Sequence, residues 1–161
     1  MLKETEQDAI NNAMNKLWAI FASLIISLFM YIFIGHVAID EVRNSLSPEA
    51  SEIPLKTLQN ILYGVSVLIF ILSYFLRKFM LGMKQTGAFA EVASKYTAAV
   101  MISLALSEVI AIFGLVLFFL GADNQTLYTF VAVSALLMFF YRPKRAELEA
   151  LALTRQPQPT I

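Results

Sequence analysis

Cysteine is absent from the chain, and histidine occurs once, at His36. Disulfides, thiolate metal sites and a haem held by two histidines of this chain are thereby excluded. Charge is scarce too: Asp, Glu, Lys and Arg make up 15% of the 161 residues, against roughly 25% in an ordinary soluble domain. Twelve basic and twelve acidic side chains cancel. The one-sided positive surplus of a nucleic-acid binder is missing, and no nucleic-acid partner is expected. Nothing resembles a nucleophile and its base, a metal-ligand cluster or a glycine loop for phosphate, so neither an enzyme nor a cofactor is expected.

What is present is apolar. Hydrophobic residues are 58% of the chain, gathered into runs at 17–39, 57–79, 97–120 and 125–141. A run of roughly 20 apolar residues crosses a bilayer core. The pattern therefore predicts an all-α integral membrane protein: a single four-helix membrane domain over 1–161, with four transmembrane helices in an antiparallel up-down bundle. The fourth span, at ~17 residues, is near the lower length limit. The first is not a cleaved signal peptide, because its apolar core exceeds the usual ~7–15 residues and no basic segment precedes it.

The polar segment 1–16 carries Ile10, Ala13, Met14 and Leu17 at about the helical period. It reads either as a short interfacial helix or as a solvated end whose last turn extends the first span. In the first connection, Ser47, Pro48 and Glu49 have the order of a helix cap, a first-turn proline and a first-turn acid. Arg77 and Lys78 end the second span, where their charged ends can extend to the headgroups as anchors. Thr86 is a candidate cap for a helix leading into the third span. Only Ala122, Asp123 and Asn124 separate the third span from the fourth, which forces an antiparallel hairpin. Beyond the fourth lie the basic Arg142, Lys144 and Arg145, a helical run over 146–153, and a proline-rich tail predicted to be disordered.

Lysine and arginine set the orientation. Lys3, Lys16, Arg77, Lys78, Lys84, Lys95, Arg142, Lys144, Arg145 and Arg155 fall on one side of the predicted spans; Arg43 and Lys56 fall on the other. The positive-inside rule then puts both termini in the cytoplasm, and the expected location is a bacterial inner (cytoplasmic) membrane. Trp18, Tyr74, Tyr96 and Tyr141 would belong to the inner aromatic belt, Tyr63 and Tyr128 to the outer one.

One residue breaks the apolar pattern at its deepest point. Glu108 lies almost at the middle of the third span, where a bare charge would cost roughly 3 kcal/mol or more, so the acid must be protonated, paired or facing a polar cavity. Ser27, Ser66 and Ser134 lie within about two residues, roughly 3 Å, of the same level. They are the candidate polar shell around Glu108, although serines in membrane helices commonly bond their own backbone instead. Ala99, Ser103, Ser107, Ala111, Gly114 and Gly121 form a small-residue stripe on the third helix, suited to close packing within the bundle or to a homodimer seam.

From Leu104 to Val116 the third span reads Leu-Ala-Leu-Ser-Glu-Val-Ile-Ala-Ile-Phe-Gly-Leu-Val. It resembles the carboxylate-bearing helix of the rotor-ring proteolipid, subunit c, of F-type ATP synthases and their rotary relatives. The resemblance implies that Glu108, with Ser107 beside it, binds and releases a translocated proton or sodium ion. It is confined to this helix. The second span has Gly64 alone where the family's other helix is lined with glycines, and no Arg-Gln-Pro stands between Arg77 and Lys95.

Two functions follow as expectations: a proton- or sodium-handling membrane subunit with Glu108 as its titrating group, or a non-catalytic accessory or assembly subunit in which Glu108 bonds helix to helix. A dimeric small-solute exporter is a third and weaker reading, since no internal repeat stands out. The expected partners are the lipid bilayer and a homo-oligomer or larger membrane complex.

Overall fold

A computed structural model describes residues 4–37, 54–82 and 89–154. These residues form five helices and no strand: α1 (Glu4–Val37), α2 (Leu55–Gly82), α3 (Phe89–Phe119), α4 (Asn124–Phe140) and α5 (Arg145–Thr154). Three of them, α1, α2 and α3, are long and apolar enough to cross a membrane. With 17 residues, α4 qualifies only together with α5, from which it is bent by 42°. The candidate helix start at Ser47, Pro48 and Glu49, the Thr86 cap and the proline-rich tail lie outside the described residues.

The polar N-terminal segment is no separate unit. α1 is continuous from Glu4, and Ile10, Met14 and Leu17 are buried on the same side as Phe21 and Leu28. That spacing of three, four and seven residues is one stripe of a helix, so the first turns share the packing of the apolar run. The residues after the fourth apolar run are likewise docked: Leu148 and Ala152, one turn apart in α5, are buried, and α5 packs against α3 and α1.

α3 is the centre of the molecule. It packs against α1, α2 and α4, and buries one broad face from Tyr96 through Leu104 and Ile110 to Leu117, while Met101, Ile112, Val116 and Phe119 keep a narrower stripe exposed, the two faces following the helical period. The small-residue stripe lies inside, with Ala99, Ser103, Ser107 and Ala111 nearly inaccessible. At Gly114 a Cβ would stand 2.6 Å from Phe130 Cβ, so α3 and α4 meet there at closer range than any side chain permits. Nearby, Ser134 Oγ donates to the Ser107 carbonyl at 2.6 Å.

The hairpin between them has a defined chemistry. Gly121, at φ 97°, lets Ala122 N–H reach the Leu117 carbonyl and its own N–H reach that of Phe118. This is the left-handed glycine ending that satisfies the last carbonyls of a helix. Asp123 then caps α4, accepting from Thr126 N–H at 3.0 Å and from the Thr126 hydroxyl at 2.5 Å. The Thr126 hydroxyl bond, and after it the N–H bond, hold the Asp123 carboxyl below the ordinary aspartate range.

α2 inverts the usual helix. Its buried residues are Ser66, Ser73 and Arg77, while Val67, Leu68, Phe75 and Phe79 are more than half exposed. Its main packing is on α3. It meets α4 through side chains at both ends: Gln59 Nε2 donates to Thr126 Oγ1 at 3.0 Å, Tyr63 stacks on Phe130 with centroids 4.6 Å apart, and Arg77 Nη1 donates to the Tyr141 carbonyl at 3.2 Å.

Candidate functional site

Ser27 and Tyr31 are four residues apart in α1, and therefore one above the other on a single face. Their hydroxyls converge on one atom of α3: Ser27 Oγ donates to Glu108 Oε1 at 2.5 Å, and Tyr31 OH donates to the same oxygen at 2.9 Å. Among the described residues nothing bonds Glu108 Oε2. All three side chains are partly buried, so the cluster lies along the α1–α3 seam rather than in the sealed core. It joins two segments 81 and 77 residues apart in sequence.

The other serines at this depth do not reach the acid. Ser66 Oγ donates to the Leu62 carbonyl, one turn back in its own helix. Ser107 Oγ does the same toward Ser103, and Ser103 toward Ala99. Ser134 crosses to the Ser107 backbone. Equal height does not imply a shared face: Ser66 lines a cavity between α2 and α4, and Ser107 meets α4 through its carbonyl, which accepts from Ser134. Tyr31 is the member the sequence did not single out. The signal available was its place one turn beyond Ser27.

The same seam opens toward one end of the bundle. A groove of about 650 Å³ between α1 and α3 has Asn12, Lys16, Ser94 and Thr97 among its walls and ends at Met101. From Met101 to Glu108 is seven residues of α3, a rise of roughly 10 Å.

A second polar cluster ties the end of α2 to α5. Arg77 is buried rather than extended to the surface. Its Nη2 is 2.6 Å from Glu147 Oε2, and its guanidinium lies 5.6 Å from the Tyr141 ring centroid. Tyr96 OH donates to the Lys144 carbonyl at 3.0 Å and accepts from Lys144 N–H at 2.9 Å. One phenol thus bonds both backbone groups of the residue immediately before α5. Only Lys78 of the two predicted anchors is exposed.

No protein family, curated protein or solved structure matches the chain.

Proposed function

We propose that the chain is a proton- or sodium-handling subunit of a membrane assembly, with Glu108 as the group that takes up and releases the ion. The proposed setting is a four-pass, up-down-up-down bundle in an inner membrane, with both termini on the cytoplasmic side. Favouring that path, Gly35 meets Leu127 and Gln59 meets Thr126 at one end, while Tyr96 meets Lys144 and Arg77 meets Glu147 at the other. The basic side chains gather at the second end.

The observation that carries the reading is Glu108 Oε1 held by two hydroxyls across the α1–α3 seam. Two hydroxyl donors on one oxygen give a polar group at this depth the partners that a medium of low dielectric demands. The second oxygen is left for a proton. Alternatively, the carboxylate and the two hydroxyl oxygens form the start of a site for a hard cation, which favours oxygen ligands. The groove ending at Met101 lies on the same seam toward the basic end, stopping roughly 10 Å of helix short of Glu108. The local resemblance to a rotary proteolipid points the same way.

A specific observation also favours the accessory reading: both donors come from α1, so Glu108 fastens α1 to α3, and hydrogen bonds between membrane helices contribute on average ~0.6 and at most ~1.7 kcal/mol each. Glu108→Gln separates the two. The amide oxygen keeps both hydroxyl donors but cannot titrate. With an ion-handling role, a hydrophobic carbodiimide labels Glu108 in native membranes, alkaline pH or sodium suppresses the labelling, and Glu108→Gln abolishes it without loss of the folded protein. Absence of labelling at any pH, in folded protein, rejects the ion-handling role and leaves the helix fastener.

A further inference from the structure

Because α2 leans on α3 and reaches α4 mainly by side chains at its two ends, the length between those ends is open. Two cavities occupy it. One, about 390 Å³, lies between Val67 and Phe70 of α2 and Val133, Leu136 and Phe140 of α4. The other, about 370 Å³, continues from the same Phe70 and Phe140 to Tyr74, Arg77, Lys144 and Glu147. Together they make one groove, apolar along most of its length and polar at the basic end of the bundle. From Tyr63 to Arg77 the groove follows fourteen residues of α2, roughly 21 Å. That exceeds one leaflet of a hydrocarbon core roughly 30 Å thick.

We infer that this groove is a binding site for one phospholipid with an anionic headgroup, its acyl chain against Phe70, Val133 and Phe140 and its phosphate at Lys144. Charge selects the occupant. Glu147 neutralises Arg77 at 2.6 Å, which leaves Lys144 as the surplus positive charge on the wall, matched to the single negative charge of a phosphodiester. Lys144 is exposed, and among the described residues no carboxylate pairs with it. Tyr74 adds a hydroxyl at the same level. Basic pockets between membrane helices, next to the headgroup layer, are where anionic lipids are held. A zwitterionic lipid brings its own ammonium to Lys144 and loses that advantage. The site is independent of Glu108, which lies on the opposite, α1 side of α3.

Native mass spectrometry of the full chain in micelles, with phosphatidylglycerol and phosphatidylcholine in equal amounts, tests the assignment. The expected result is one retained phosphatidylglycerol, favoured several-fold over phosphatidylcholine. Lys144→Gln should erase the preference, and Lys78→Gln, an exposed cation on the same end of α2 but outside the groove, should leave it intact. Val133→Trp, which fills the apolar part, should lower retention of both lipids. Lys144 contributes only its backbone to the fold, so its substitution reads the site without unfolding the protein. Equal losses from Lys144→Gln and Lys78→Gln, or no headgroup preference, would overturn the site in favour of general surface charge. Displacement of the lipid by excess glycerol phosphate would overturn it in favour of a phosphate site without an acyl groove.

Discussion

Glu147→Ala removes the carboxylate 2.6 Å from Arg77 Nη2 and is expected to destabilise the protein by about 2 kcal/mol. Stranding one member of a buried ion pair costs about 3–5 kcal/mol. That figure is reduced here because the Glu147 side chain is 36% exposed and Arg77 keeps the Tyr141 carbonyl. Arg77→Leu should cost less, about 1 kcal/mol, although it removes the ion pair, the carbonyl bond and the ring contact together. Water can reach the carboxylate it leaves behind, and exposed partners of lost ion pairs contribute little. The asymmetry arises from burial, since the Arg77 side chain is only 10% exposed. The double variant should therefore be no less stable than Glu147→Ala alone, a coupling of about 1 kcal/mol or more. Equilibrium unfolding in mixed micelles, with protease cleavage in α5 as a second readout, measures all three. If Arg77→Leu proves as costly as Glu147→Ala, and the two losses add, Arg77 is not held as a buried charge.

Gly114→Ala and Gly35→Ala should part company. At Gly114 the new methyl meets Phe130 Cβ and the Leu127 carbonyl, and such overpacking costs about 1–3 kcal/mol; at Gly35 it meets the far end of the Leu127 side chain, which can swing away, so thermal unfolding should shift clearly for the first and little for the second. At the hairpin, Asp123→Ala should cost about 1 kcal/mol at neutral pH by removing the α4 cap. Since the folded protein holds the Asp123 carboxyl below its ordinary value, the charged cap's contribution is complete above the unfolded aspartate pKa of about 3.9 and is lost as pH falls through the lower, folded value. The stability difference between the parent and Asp123→Ala should accordingly narrow on acidification and hold constant from pH about 5 upward; a difference that widens in acid would contradict the cap.

Depth along a membrane helix is legible in a sequence, and direction around it is much less so. Counting from the ends of the apolar runs places Ser27, Ser66, Glu108 and Ser134 at one level, but does not say which of them share a face. α3 is apolar nearly all round, so no hydrophobic stripe reveals where Glu108 points; the partnership with Ser27 and Tyr31 emerges only when α1 is laid beside it. Arg77 was hidden by a sound general rule. A lysine or arginine at the end of an apolar run usually extends toward the headgroups, and the pull of Glu147, 70 residues later, leaves no local trace. α2 did carry a signal: Ser66, Ser73 and Arg77, seven and four residues apart, share one face, and in lipid the polar stripe is the one that turns inward. The short link at Ala122–Asn124 was readable because three residues allow little besides a hairpin.

That inverted helix bears on how the molecule comes together. Synthesis delivers α2 before α3 and α4 exist, yet its attachments depend on both: a serine face for α3, Thr126 and Phe130 near the start of α4, Glu147 beyond its end. With α3 made, α2 has its main packing partner but none of the contacts that fasten its two ends. Those ends are joined only once Thr126, Tyr141 and Glu147 follow in the chain, so the seating of α2 across the bundle is completed after its face has met α3.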